Sequence, residues 1–134
     1  MEIAALVKRI LCVEDHADSA EMVRHLLGEF DVTVATGFNE ALYFASESTF
    51  DLCLIDYHLP DGVGTDLSQL LRPLIGDVPA VFVTASSSLT RKHALEVGAV
   101  DLLNKGTVMF TRDLVNTVKR LLQPDITDRR SSAT

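Results

Sequence analysis

Arg9-Ile10-Leu11-Cys12-Val13-Glu14-Asp15 is the stretch on which the fold turns: a strand-length apolar run that ends in two adjacent carboxylates. A short, continuous apolar run bounded by polar residues suits a strand buried on both faces. The same figure recurs downstream. Apolar runs stand at Val32–Ala35, Leu52–Ile55, Ala80–Val83 and Val100–Leu103. Between them lie segments of helical period: Ala20, Val23, Leu27; Ala41, Phe44, Ala45; Leu67, Leu70, Leu71. A last helix is predicted over Thr111 to Gln123, with Leu114, Val115, Val118, Leu121 and Leu122 on one side. Pro73, Pro79 and Pro124 punctuate the chain, as do Gly28, Gly37, Gly76 and Gly98 near helix ends. Strands that each lead into a helix predict an α/β fold, a doubly wound parallel sheet of five strands flanked by five helices.

Length and composition bound the function. At 134 residues the chain holds one domain, and 47% apolar with 23% charged residues is ordinary globular composition. A formal net charge of −7 argues against direct nucleic-acid binding by this chain. The apolar window Ile3–Val7 is too short for a signal-peptide core and runs into Lys8-Arg9. No stretch is long enough to span a bilayer. A cytoplasmic protein without membrane attachment is therefore expected, with Cys12 and Cys53 as reduced thiols. The segment Pro124 to Thr134 lacks apolar periodicity and is expected to be a disordered tail, leaving residues 1–123 as the domain.

Folds of this class place their chemistry at the carboxyl ends of the strands. The first strand runs into Glu14-Asp15, the third into Asp56, the fourth into Thr84 and the fifth towards Lys105. The second ends in Thr36-Gly37 without a charge, as suits a strand at the sheet edge. Three carboxylates, a hydroxyl and an ammonium thus converge on one rim. Crowded carboxylates repel one another until a proton or a cation relieves them. Mg²⁺ is hard and oxygen-seeking, and suits such a set. A carboxylate there can attack phosphorus, while a neighbouring Lys and a Thr hydroxyl offset or bind the phosphoryl oxygens.

Ile10-Leu11-Cys12-Val13-Glu14-Asp15, Asp56-Tyr57-His58-Leu59-Pro60-Asp61-Gly62, Val83-Thr84-Ala85, Gly98-Ala99 and Lys105 together resemble the signature blocks of bacterial response-regulator receiver domains. The resemblance covers Lys8 to Leu122. It implies a flavodoxin-like strand order of 2-1-3-4-5. It also implies a two-component signalling switch that accepts a phosphoryl group on Asp56, rather than an enzyme that releases a product. By the same resemblance Asp15 would bind Mg²⁺ directly, Glu14 mainly through water, and Asp56 and the backbone carbonyl of His58 would complete the metal site. Thr84 and Lys105 would hold the phosphoryl group. The donor would be a histidine kinase or phosphotransfer protein. The output would pass to a protein target through the face of the fourth helix, fifth strand and fifth helix, from a monomer or a phosphorylation-dependent dimer. Two positions depart from the family pattern. Leu102 stands where an aromatic switch residue is usual, and Gly106 replaces the usual proline after the lysine. A non-proline cis bond costs about 2.5–4 kcal/mol, so a trans Lys105–Gly106 bond is expected.

Taken singly, each of these residues has an ordinary structural role. Carboxylates at strand ends serve as solvated loop residues or as helix caps, and Asp15 or Asp18 would suit the first helix. It is the joint placement with Thr84 and Lys105 that favours chemistry. An aspartate-nucleophile phosphatase of the haloacid dehalogenase type would want a second Asp where His58 stands. A flavin-binding domain would want a glycine- or hydroxyl-rich loop where Glu14-Asp15-His16-Ala17-Asp18 is acidic. A receiver-like module without phosphorylation would lack one of the site residues, and all are present here. Cys12 and Cys53 each precede the site by a few residues; side by side in neighbouring strands they would be core filling rather than a redox pair. Whether the chain is a stand-alone regulator or the receiver part of a longer protein stays open.

Overall fold

In the central strands alternate side chains face opposite ways, and both faces are apolar, so helices must cover both. A computed structural model describes residues 7–123. The order is β1 (Arg9–Val13), α1 (Ala17–Leu26), β2 (Asp31–Ala35), α2 (Phe38–Glu47), β3 (Leu52–Asp56), α3 (Gly64–Ile75), β4 (Ala80–Thr84), α4 (Arg91–Glu96), β5 (Asp101–Asn104) and α5 (Phe110–Leu122). The strands pair in parallel in the order β2-β1-β3-β4-β5, with β2 and β5 at the edges. This is the doubly wound α/β fold that the sequence predicts. The expected tail 124–134, and residues 3–6 of the Ile3–Val7 window, lie outside the described residues.

Two cores result, one on each side of the sheet. Ile10 and Cys12 of β1, Leu52 and Leu54 of β3, and Val81 and Val83 of β4 pack under α1 and α5, meeting Val23, Phe110, Leu114 and Val118. Leu11 and Val13, Cys53 and Ile55, and Ala80 and Phe82 point the other way, to Ala41 and Ala45 of α2, Leu67 and Leu71 of α3 and Ala94 of α4. Leu102 is half-buried against this second core.

Some local expectations need correction. Cys53 pairs with Leu11 and Cys12 with Leu54, so the two thiols are one residue out of register and belong to opposite cores. Burial pushes both thiols up to about 12, which keeps them protonated and inert. Pro73 does not end its helix: α3 runs on to Ile75, because a proline near the C-terminus removes only one helical hydrogen bond. The stop is Gly76, whose φ of 86° reverses the chain. The fifth strand starts at Asp101, one residue later than its apolar run suggests. Between β3 and α3 a short antiparallel hairpin pairs His58–Leu59 with Gly62–Val63, too brief for periodicity to reveal.

Candidate functional site

The alternation that builds the core under α1 and α5 also delivers the charged rim. Glu14 continues the set of Ile10 and Cys12, Asp56 that of Leu52 and Leu54, and Lys105 follows Leu103 on the same face. The Lys105 ammonium stands between the two acids, donating to Glu14 Oε1 at 2.9 Å and to Asp56 Oδ2 at 3.1 Å. Both carboxylates are buried, at 5% and 6% exposure. Their other oxygens are held by backbone N–H groups: His16 donates to Glu14 Oε2 and His58 to Asp56 Oδ1, each at 3.1 Å.

Asp15 is exposed and completes the acidic set. One carboxylate oxygen from each of Glu14, Asp15 and Asp56 lies within 4.8 Å of the other two. Burial alone would lower the Lys105 pKa, but its hydrogen bonds to Glu14 and Asp56 outweigh burial and hold it above the usual lysine value. Lys105 is therefore a cation at neutral pH. Three carboxylates against one ammonium leave negative charge in excess, and an all-oxygen donor set of this span fits a hard divalent cation.

Thr84 arrives by the opposite alternation, after Ala80 and Phe82, and is 1% exposed. Its Oγ1 accepts the Ser86 N–H at 3.0 Å, and its carbonyl accepts the Lys105 N–H at 2.8 Å. The ends of β4 and β5 are thus tied together beside the acids. His58 sits in the hairpin with its ring exposed, edge-on to the Tyr57 ring at a centroid distance of 4.8 Å. Its backbone N–H is the group that contacts Asp56. Gly64, the first residue of α3, lies against the end of β3 so closely that a Cβ there would meet the Asp56 carbonyl oxygen at 2.8 Å. Neither Asp15 nor Asp18 caps α1; His16 holds the cap position without a side-chain bond.

One residue of the segment between β3 and α3 has a role that sequence reasoning missed. Asp61 accepts the Phe38 N–H at 2.6 Å and the Asn39 N–H at 3.1 Å, so it caps α2 from outside that helix. Those bonds hold its carboxyl below the usual aspartate value. The partners lie 22 and 23 residues upstream, beyond the reach of local cap patterns.

With this geometry in place, the comparisons agree. The family model of the response regulator receiver domain matches residues 10–119, and the chain belongs to that family of two-component signalling domains. Over 122 residues it is 37% identical to the response regulator protein PilR of Pseudomonas aeruginosa, covering 88% of this chain and 27% of PilR. Over 126 residues it is 36% identical to the transcriptional regulatory protein PrrA of Mycobacterium tuberculosis, covering 92% of this chain and 53% of PrrA. The chain thus spans only 27% to 53% of these curated relatives. Among solved structures it resembles the chemotaxis protein CheY4 of Vibrio cholerae, with a TM-score of 0.75 and 26% identity over 86% of this chain and 98% of that one. It also resembles the response regulator TrrA of Thermotoga maritima in complex with Mg²⁺–BeF, with a TM-score of 0.74 and 25% identity over 86% of this chain and 99% of that one.

Proposed function

We propose that this receiver domain is a phosphorylation-dependent switch whose acceptor is Asp56, charged by a histidine kinase or phosphotransfer protein. The observation that carries the reading is the buried Asp56 carboxylate, 3.1 Å from the Lys105 ammonium and within reach of Glu14 and Asp15. Glu14, Asp15 and Asp56, with the His58 backbone carbonyl, would hold Mg²⁺, whose charge would offset that of the incoming phosphoryl oxygens.

The chain's own groups divide the remaining work. An Asp56 oxygen attacks phosphorus, a new O–P bond forms, and the P–N bond of the donor phosphohistidine breaks. The bonding pair leaves with the donor imidazole, which takes up a proton. Lys105 stays protonated and stabilises the negative oxygens as they approach. The Thr84 hydroxyl accepts from Ser86 and so keeps its own proton to donate to a phosphoryl oxygen. The result is a change of shape rather than a released product.

Residues 1–123 are assigned to the switch, working in the cytoplasm. No described helix is long and apolar enough to cross a membrane, and the charge of −7 disfavours a direct grip on nucleic acid. The downstream contact is assigned to a protein target on the α4–β5–α5 face, made by a monomer or a dimer formed on phosphorylation. Incubation with acetyl phosphate and Mg²⁺ should add one phosphoryl group by intact-protein mass. Asp56→Asn should add none, and a variant labelled like the parent would overturn the assignment.

A further inference from the structure

The turn after β5 is built without the proline that the family resemblance leads one to expect beside the lysine. Another device must therefore aim Lys105. Its backbone N–H is fixed on one side by the Thr84 carbonyl at 2.8 Å. On the other side, Asn104 Oδ1 accepts the Gly106 N–H at 2.7 Å, and the Asn104 carbonyl accepts the Thr107 hydroxyl at 3.3 Å. A side-chain oxygen that accepts the N–H two residues on is an Asx turn, in which the side chain stands in for a backbone carbonyl.

The sequence is consistent with this device. A proline at position 106 would bring no N–H for Asn104 to accept. A Cβ at Gly106 would sit 3.1 Å from Asn104 Oδ1, so the glycine also leaves the close approach open. Asn104 is exposed and makes no bond to Glu14 or Asp56, so whatever it does for the site is done through Lys105.

Resting on the role of Lys105 proposed above, we infer that Asn104 is a positioning residue: its turn fixes the backbone from which Lys105 reaches Glu14 and Asp56. A lysine side chain has many rotamers, and only a fixed starting direction places its Nζ between two acids without sampling solvent first. The local pattern Asn-Lys-Gly thus replaces Lys-Pro as the means of presenting the ammonium.

Two readouts on the full chain test this. The first is the rate of Asp56 phosphorylation by acetyl phosphate with Mg²⁺. Asn104→Ala should slow it roughly three- to tenfold, as the loss of one hydrogen bond would. Asn104→Asp, and more weakly Asn104→Ser, keep an acceptor and should recover the rate. The second is the yield of zero-length carbodiimide crosslinks from Lys105 to Asp56 or Glu14. It should fall in Asn104→Ala and return in Asn104→Ser, with melting temperatures close to the parent's. Parent-like rate and crosslinking in Asn104→Ala would overturn the inference. So would slow phosphorylation with unchanged crosslinking, or a failure of both acceptor-bearing variants to recover. If crosslinking behaves as expected while the parent itself takes no phosphoryl group, the proposed function fails and the role of Asn104 stands.

Discussion

The two ends of β5 carry charge clusters that are near mirror images. Beyond its C-terminus, one cation, Lys105, lies between the buried acids Glu14 and Asp56. At its N-terminus one buried acid, Asp101, lies between two cations: Arg91 of α4 bonds Oδ1, and Arg120 of α5 bonds Oδ2 at 3.1 Å. The Leu102 N–H adds a third bond to Asp101 at 2.8 Å. Asp56 and Asp101 are equally buried, at 6% exposure. The difference lies in what surrounds them. The Asp101 cluster is closed, its carboxylate satisfied and its two arginines largely in solvent, so it clamps α4 and α5 to the edge strand. The Lys105 cluster has three carboxylates to one ammonium and open lone pairs, as suits the cation and phosphoryl group proposed for it. Similar chemical parts thus make a fastener at one end of the strand and a receptor at the other.

The clamp should show the largest effect on stability. Removing both partners in Arg91→Ala/Arg120→Ala strands a buried carboxylate and should cost about 3 kcal/mol, whereas either single change should cost about 0.5–1 kcal/mol. Denaturant unfolding of the three variants decides this. A double variant that merely adds the two single losses would mean that Asp101 is solvated on losing its partners, and the contrast between the clusters would break.

The receptor should behave in the opposite sense. A cation bound only by the folded state raises stability by mass action, so Mg²⁺ at several times its Kd should add roughly 1 kcal/mol to the parent. Asp15→Ala, freed of one repelling carboxylate, should be no less stable than the metal-free parent and should gain less from Mg²⁺. Equal gains in thermal melts of the two proteins would remove Asp15 from the metal site.

Much of this receptor was legible in the sequence, and little of the clamp was. Glu14, Asp56, Thr84 and Lys105 each stand at or just past the carboxyl end of an apolar strand, and parallel pairing brings those ends to one rim. Asp101 opens its strand and looks like a surface acid, while its arginines lie 10 and 19 residues away on two different helices. The same limit hid the cap that Asp61 makes on α2. Register was equally out of reach: Cys12 stands three residues before Asp15 and Cys53 three before Asp56, yet a one-residue offset sends them to opposite cores. Pattern shows which residues share a strand face, but pairing between distant segments is set by packing.

pH sharpens the contrast on the receptor side. Because its acids hold the Lys105 pKa above the ordinary 10.5, the stabilisation it provides is fully present below that value and is lost only as pH rises through the folded-state pKa. The stability difference between the parent and Lys105→Met should therefore stay level from about pH 6 to 9 and shrink only at more alkaline pH. Shrinkage already near neutrality in pH-dependent unfolding would mean that the ammonium is not held between the acids.

The smallest expected effects concern the lifetime of the phosphorylated state. His58 and Ser86 each lie two residues past a proposed site residue, and on the proposed function their side chains would flank the path of an attacking water. His58→Ala should change the dephosphorylation rate by several-fold up to about tenfold, equivalent to roughly 1 kcal/mol in barrier. The Ser86 hydroxyl is already engaged with that of Ser88 at 2.7 Å, so Ser86→Ala should change it less. Phosphate release followed over time ranks the two, and a larger effect at Ser86 would reverse the assignment.

Borohydride trapping tests the central claim most directly, because it reduces an aspartyl phosphate to homoserine and marks the residue that carried it. The parent, phosphorylated by acetyl phosphate with Mg²⁺ and then reduced, should yield homoserine at position 56 alone by tandem mass spectrometry of its peptides. Homoserine at position 15, or none at position 56 in protein that had gained a phosphoryl group, would contradict the assignment of Asp56 as the acceptor.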